Sequence, residues 1–189
     1  MKMTIKILAM VMAMPLWSCG EDDENVNPED ASSVDGAVSL ADVPEGRGVV
    51  QVTGNIEAEV SGEIRIYTTG EGTVDDYEYY KNEYVIESGE DEIYIDVYWP
   101  RADGAVMPEG DYMVELADLT DFPRTRFINV TVFVEQSAYS PWIETTGEAV
   151  IASTNADAEL DIVFSVEGLE EFINEVSVNA DGAAKFRVQ

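Results

Sequence analysis

The sequence of 189 residues contains no histidine and a single cysteine, Cys19, and both absences restrict its chemistry. Without histidine the chain lacks the commonest general base, a Ser-His-Asp triad and imidazole ligands for a metal ion. With one cysteine it cannot form an intrachain disulfide, and zinc sites of the usual thiolate and imidazole kind are excluded. Only carboxylates remain for catalysis, and among 39 acidic residues some pair will always look suggestive. We therefore predict that the protein is not an enzyme.

Basic residues are also scarce. Lys and Arg together number 10 against 39 Asp and Glu, so the formal net charge is −29. A chain this acidic repels phosphate backbones, which excludes nucleic acid as a partner. The same excess of carboxylates suits solubility outside the cell and the binding of divalent cations.

No hydrophobic run is long enough to cross a membrane as a helix. The longest candidate near the start, Ile7 to Met14, follows Lys2 and Lys6 and is far shorter than the ~20 residues a span needs. This arrangement predicts an export signal over residues 1–18. Its end, Leu16-Trp17-Ser18-Cys19, resembles a bacterial lipobox. The resemblance implies cleavage before Cys19 and attachment of a lipid to its thiol; the alternative is an ordinary secretory signal with an incidental cysteine.

An acidic run, Glu21 to Glu24, follows this cysteine directly. The run resembles the surface-export signal of Bacteroidetes lipoproteins, which implies an outer-membrane lipoprotein exposed on the cell surface. The alternative is an acidic tether without a sorting role. Residues 19–36 are rich in polar and acidic side chains, so we predict a flexible tether between the lipid and the folded part.

The rest of the chain alternates apolar and polar residues with a period of two, which is typical of β-strands with one buried face. Short turn signals divide these runs, among them Ser61-Gly62, Gly70 with Gly72, Ser88-Gly89 and Asp181-Gly182. The best helical candidate, Leu169 to Ile173, is one turn at most. We therefore predict an all-β, immunoglobulin-like antiparallel β-sandwich. The alternating apolar positions are Val50 and Val52, Ile56 to Val60, Ile64 and Ile66, Ile93 to Val97, Ile128 to Val134, Leu160 to Val166, and Phe186 and Val188.

The predicted strands suggest two parts. Residues 37–136 hold enough strands for one sandwich, and residues 137–189 add about four more, too few to bury a comfortable core alone. The second part is either a sheet extension or a small second unit. Ser137 to Pro141 is the predicted junction, with Trp142 packing just after it.

The first part carries short motifs in a characteristic order. Gly72-Thr73, Asp76-Tyr77, Gly89-Glu90 and Glu109-Gly110-Asp111 follow an opening Glu45-Gly46. In this order they resemble the Calx-β domain, over about residues 38–136. The resemblance implies a sandwich with a calcium site in loops at one end, and calcium takes six to eight oxygen ligands at about 2.3–2.6 Å. The implied ligands are Glu45, Asp75, Asp76, Asp103, Glu109 and Asp111; the alternative is that these loop acids are merely solvated.

A tyrosine cluster is the remaining signal. Tyr94 and Tyr98 alternate with core positions, which favours cross-strand aromatic pairs. Tyr79 and Tyr80 lie in a predicted turn region and suit either packing or the binding of a glycan or protein partner. We predict a non-catalytic, lipid-anchored surface protein for adhesion or partner binding; the alternative is an accessory glycan-binding lipoprotein of a polysaccharide-capture system.

Overall fold

The computed structural model describes residues 34, 38–74, 76–114, 125–142, 144–171 and 176–188. Within these ranges it contains ten β-strands, two short 3₁₀ helices at Leu40–Asp42 and Arg101–Asp103, and no α-helix. The predicted all-β, sandwich-like fold is confirmed. In chain order the strands are β1 (Arg47–Gly54), β2 (Ala58–Val74), β3 (Tyr77–Ser88), β4 (Asp91–Pro100), β5 (Gly110–Val114), β6 (Phe127–Val134), β7 (Ser137–Tyr139), β8 (Thr146–Thr154), β9 (Leu160–Glu171) and β10 (Val176–Phe186).

All ten strands belong to one sheet, in the order β4-β3-β2-β1-β10-β9-β8-β5-β6-β7. The pairs are antiparallel except for β5 with β6, which run parallel. β4 also pairs with β6, from Glu92 opposite Phe133 to Tyr98 opposite Phe127. The sheet therefore closes on itself around one core, with β7 lying beside β6.

The core consists of the alternating apolar side chains that the sequence marks. Val50, Ile95 and Ile162, from three different strands, are fully buried in one cluster. Tyr84 on β3 reaches across this cluster to Phe186 on β10, with ring centroids 5.4 Å apart. The alternation of apolar and polar residues thus correctly predicts which side chains face the core, on strands from both parts of the chain.

The C-terminal part completes the sheet. β10 pairs with β1 from Gly48 opposite Ala184 to Gly54 opposite Val178. The predicted additional C-terminal strands are thus present and share the core of the first part. The domain boundaries at residues 36 and 136 stay a prediction.

Several predicted turns lie inside strands instead. Gly62 is in β2 and Gly182 is in β10. A side chain at Gly62 would collide with the backbone of Glu87, and one at Gly182 would collide with the ring of Phe164. These glycines mark close approach between neighbouring strands, a role that sequence alone does not separate from a turn.

Other local expectations also differ from the structure. Leu169, the start of the predicted helical turn, lies in β9, and Ser137 to Tyr139 of the predicted junction form β7. Trp142 is 41 % exposed and Val188 is 55 % exposed, although both were expected to pack. No described helix is long and apolar enough to cross a membrane.

A β-bulge in β2 decides which side chains face the core near its end. The register shifts between Ile66, opposite Tyr84, and Thr68, opposite Glu83. After the shift, Thr69 and Glu71 lie opposite inward-facing residues of β3. The bulge therefore reverses the faces that uninterrupted alternation would give to this stretch.

The segment before β1 covers part of the outer face of the sheet. Val38, Leu40 and Val43 pack on a second, smaller apolar cluster with Val163 and Ala183. Val43 is buried, although it lies in an irregular stretch. This segment, residues 38–43, is called the cover below.

Candidate binding site

Six aromatic side chains lie on the outer face of β2, β3, β4 and β6. They alternate with core residues along their strands, so the same period that fills the core also places them outside. Together they form what we call the aromatic face: Tyr67, Tyr79, Tyr94, Tyr98, Phe127 and Phe133.

One row of this face centres on Tyr94. Its ring centroid lies 6.3 Å from that of Tyr67 and 5.4 Å from that of Phe133, with both neighbours nearly perpendicular. Tyr67 is 68 % exposed and Phe133 is 39 % exposed. The row therefore holds itself in place by edge-to-face contacts while keeping ring surface open to solvent.

The second row centres on Tyr98. Its ring stacks on that of Phe127 at 4.6 Å and 10°, and Tyr79 lies 5.9 Å away on the other side. The Lys81 ammonium lies 5.4 Å from the Tyr98 ring centroid, a cation–π distance. Burial raises the pKa of Tyr98 to about 12, so its hydroxyl stays protonated and can donate a hydrogen bond near neutral pH.

A charged cluster lies between the rows. Lys81 Nζ is 2.8 Å from Glu83 Oε2 and 3.0 Å from Asp96 Oδ2. The Tyr98 hydroxyl donates to the same Asp96 oxygen at 3.3 Å. The cluster combines one ammonium with two carboxylates, so the middle of the aromatic face offers several hydrogen-bonding groups.

The environment shifts the pKa values of this cluster. Burial raises the pKa of Asp96, although Lys81 opposes the shift, and the nearby Glu83 adds to it. Burial works against the charge of Lys81, but hydrogen bonds to Glu83 and Asp96 outweigh it and raise the Lys81 pKa. The lysine therefore remains charged at any physiological pH, and a proton is bound more readily at Asp96 than at an ordinary aspartate.

A second feature, the end pocket, lies on the inner side of the same strands. It has a volume of about 340 Å³ and is lined by Thr69, Tyr80, Asn82, Trp99 and the β8–β9 turn, among others. The Tyr80 and Trp99 rings lie 5.7 Å apart, and Arg101 covers Tyr80 at 5.7 Å.

Polar contacts hold the wall of this pocket in place. Trp99 Nε1 donates to the Gly104 carbonyl at 3.0 Å, which fastens the loop after β4. The Asn82 side-chain amide donates to Tyr84 Oη at 3.2 Å. Asn82 is one of two buried polar residues among those described. A buried amide is not needed to pack an apolar core, so Asn82 is a candidate for a role beyond packing.

The two tyrosines selected from the sequence lie on opposite sides of β3. Tyr79 belongs to the aromatic face, whereas Tyr80 lines the end pocket. Sequence reasoning did not select Tyr67 or Phe133, which come from β2 and β6. A signal was available for Phe133, which lies between the buried Val132 and Val134, whereas Tyr67 follows the partly buried Ile66 at the bulge. Only strand pairing shows that the two rings flank Tyr94.

Tyr94 and Tyr98 make the aromatic contacts expected of them. Each pairs with a ring on the neighbouring β6, Phe133 for Tyr94 and Phe127 for Tyr98. The interpretation as cross-strand pairs therefore agrees with the structure, and it does not exclude a second role for their exposed surface.

The acids of the predicted calcium site have other partners. Glu45 lies 2.7 Å from Arg187 Nε, and Asp103 lies 2.8 Å from Arg126 Nε. Arg126 also donates to the Glu109 carbonyl at 3.2 Å, which brings Asp103 and Glu109 to one arginine.

The remaining members of the set are placed separately. Asp76 is exposed in the β2–β3 turn with φ of 72°, and Asp111 is exposed on β5. Asp75 lies outside the described residues. Among the residues in the described ranges, no group of three or more acidic, histidine or cysteine side chains could hold a metal ion. The calcium site stays a prediction.

The predicted export signal, Cys19 and the tether up to residue 36 lie outside the described residues, except for Val34. No protein-family model, curated protein or solved structure matches this chain. The Calx-β and lipoprotein resemblances therefore stay predictions.

Proposed function

We propose that this protein is a non-catalytic, lipid-anchored surface protein that binds a glycan across its aromatic face. The observation that supports the proposal is the pair of aromatic rows on one sheet face, with a hydrogen-bonding cluster between them. Tyr67 and Phe133 of the first row are exposed, whereas Phe127 of the second row is buried. Most of these rings keep part of their surface exposed, which a purely structural pair does not need.

The chemistry of the face suits a sugar chain. The C–H face of a pyranose packs on an aromatic ring, and its hydroxyls exchange hydrogen bonds with carboxylates and an ammonium group. Tyr94 and Tyr98 are four residues apart on β4, which corresponds to about 13 Å along the strand. Two rings at that separation suit contact with two non-adjacent units of one oligosaccharide.

Charge narrows the class of glycan. The cluster carries two carboxylates and one ammonium, and the chain as a whole has a net charge of −29. Uronic acids and sulfated sugars would be repelled by this field. A neutral glycan is therefore the favoured ligand.

The predicted lipid anchor supports the same function. A tether over residues 19–36 would hold the folded part near the membrane and leave the aromatic face accessible. A capture role needs no catalytic group, which agrees with the absence of histidine in the sequence. An accessory role in polysaccharide capture, or adhesion to a glycan-coated surface, follows from this arrangement.

The test is a glycan array probed with the purified full-length lipoprotein, followed by calorimetry on any neutral oligosaccharide that binds. We expect Tyr67→Ala and Tyr94→Ala each to weaken binding at least tenfold, because each removes a ring from the first row. Trp142→Ala is the matched control, since this exposed aromatic residue lies outside the aromatic face.

Two results would contradict the proposal. One is the absence of binding to any neutral glycan on the array. The other is binding that survives the Tyr67→Ala and Tyr94→Ala variants while both remain folded, because the ligand would then lie elsewhere.

A further inference from the structure

Strand β2 extends well beyond its partner β1. The two strands pair from Ala58 to Glu63 of β2, and the last backbone bond joins Ile64 N to the Gly46 carbonyl at 3.0 Å. From Arg65 to Val74, β2 pairs with β3 on one side only; no described strand lies on the other. This stretch is called the free edge below.

A free edge is unusual in a sheet that otherwise closes on itself. Its unpaired N–H and C=O groups form a template for another strand. Lysine, proline, β-bulges and inward-pointing charges all blunt natural edges. The sequence Thr68 to Val74 contains no lysine or proline, and the bulge and the inward Glu71 are the two such features on this edge. Thr68 to Glu71 are all exposed, so the template is accessible in the described part of the chain.

The end pocket lies directly beside the free edge. Thr69, Gly70 and Glu71 form one rim, and the β8–β9 turn from Asn155 to Ala158 forms the opposite rim. A strand added to the free edge would therefore run past a cavity of about 340 Å³, which has room for a large side chain.

The opposite rim is held in a defined shape. The Asn155 side chain donates to Glu159 Oε2 at 2.7 Å and accepts from the Asp157 amide at 2.9 Å. Tyr84 Oη donates to the Ala158 carbonyl at 2.8 Å, which ties the turn to β3. A preformed rim reduces the conformational entropy lost when a ligand is bound.

The charges around the pocket favour a basic ligand. Glu71 lines the pocket, and Asp157 lies in the turn across from it. The nearby cation, Arg101, is shared between Glu71 at 3.6 Å and Glu78 at 3.1 Å. Since the single positive charge of Arg101 faces two carboxylates, the rim as a whole carries a negative charge.

We propose that the free edge of β2 accepts an extended, basic segment of a partner protein as an additional β-strand, with one large side chain of that segment in the end pocket. Main-chain hydrogen bonds would supply affinity, and the pocket and its negative rim would supply specificity. The proposal uses the inner side of the β2–β3 hairpin and does not rest on glycan binding at the aromatic face.

The probe is a phage-displayed library of random twelve-residue peptides, selected on the immobilised full-length protein. We expect enrichment of proline-free sequences that alternate apolar residues with lysine or arginine. A synthetic peptide of the enriched sequence should then slow amide hydrogen exchange from Arg65 to Val74.

Two double-proline variants test the edge itself, because alternate N–H groups of β2 point toward β3 or away from it. One is Thr68→Pro with Gly70→Pro, and the other is Thr69→Pro with Glu71→Pro. The pair that removes bonds to β3 should lower the melting temperature, whereas the pair that removes only outward donors should not. The variant that keeps its melting temperature should lose at least tenfold in peptide affinity. Glu71→Gln should weaken binding of the basic peptide several-fold.

Four results would overturn the proposal: no enriched sequence, unchanged affinity in both proline variants, protection of amides outside the free edge, or a dimer that forms through this edge and excludes the peptide. The Tyr94→Ala variant separates this site from the glycan site, since Tyr94 lies on β4, outside the free edge, and its loss should leave peptide affinity unchanged.

Discussion

The outer faces of the two halves of the sheet differ in their side chains and in what covers them. Across β1, β10, β9 and β8, a row of small apolar side chains lies under the cover, which buries Val163 and Ala183. Across β2, β3, β4 and β6, Tyr67 and Phe133 of the aromatic face stay exposed, and Phe127 is its one buried ring. The covered row consists of Val49, Ala183, Val163 and Val150.

The difference follows from the side chains in each row. Valine and alanine carry no polar atom, so exposing a continuous row of them would lose the full hydrophobic contribution. Tyrosine joins an apolar ring to a hydroxyl that can remain in water. The chain therefore uses its irregular N-terminal segment to bury the aliphatic row and leaves Tyr67 and Phe133 of the aromatic face exposed.

The largest effect should come from placing a charge on each face. Val163→Asp puts an unpaired carboxylate beneath the cover and should lower the free energy of unfolding by about 3 kcal/mol or more. Phe133→Asp, on the open face, should lower it by about 1 kcal/mol or less, because water reaches the new charge. Urea unfolding of both variants measures the difference, and equal losses would show that the two faces are covered alike.

A smaller effect should follow from truncating a buried side chain of the cover. Val43→Ala removes two buried methyl groups and should lower the free energy of unfolding by about 1.5 kcal/mol. Tyr67→Ala removes a larger side chain, but one that is 68 % exposed, and should lower it by about 0.5 kcal/mol. Thermal melting compares the two, and a larger loss for Tyr67→Ala would mean that this ring is structural rather than available to a ligand.

The charged cluster of Lys81, Glu83 and Asp96 should make the stability of the folded protein depend on pH. Burial raises the pKa of Asp96 above its ordinary value of 3.8, so the folded state binds this proton more tightly than the unfolded state. The resulting stabilisation is present below pH 3.8 and is lost as the pH rises through the raised pKa.

The comparison with Asp96→Asn isolates this group. The stability of the native protein relative to Asp96→Asn should fall as the pH rises from 3 toward neutrality. Lys81 stays charged over this range because its own pKa is raised. Unfolding curves at several pH values provide the measurement, and a difference that is constant with pH would contradict the raised pKa.

The smallest effect concerns calcium. Glu45 and Asp103 are paired with arginines, so we expect the melting temperature of the full-length protein to be the same in excess calcium and in chelator. A ligand that binds only the folded state must stabilise it by mass action. A rise of several degrees in calcium would therefore support the predicted site, and the variant Asp103→Asn would then show whether this acid belongs to it.

The sequence predicted the strands better than their ends. Period two identified the core positions on β1, β4, β6 and β9, because a side chain on the wrong face would place apolar surface in water. Glycine was the weak signal. Ser61-Gly62 and Asp181-Gly182 predict turns, but the structure places both glycines where a neighbouring strand leaves no room for a side chain.

The candidate sites were even harder to predict from the sequence, because they depend on which strands pair. Tyr79 and Tyr80 were selected together as neighbours, yet the pleat of β3 sends them to different sites. The aromatic face joins rings from residues 67 to 133, and no local pattern specifies which strands become neighbours. The free edge is invisible in sequence for the same reason, since it exists only because β1 stops pairing while β2 continues.

The sequence by itself determined the chemistry available to this protein: no histidine, one cysteine, a strongly acidic surface and strands with one apolar face. These properties depend on composition and on a period of two, both of which are local. The tertiary structure decided which outer row is covered, which aromatic rings meet around Tyr94 and Tyr98, and where β2 is left without a partner. Those outcomes depend on strand order and on one bulge, which are set by the packing of residues far apart in the chain.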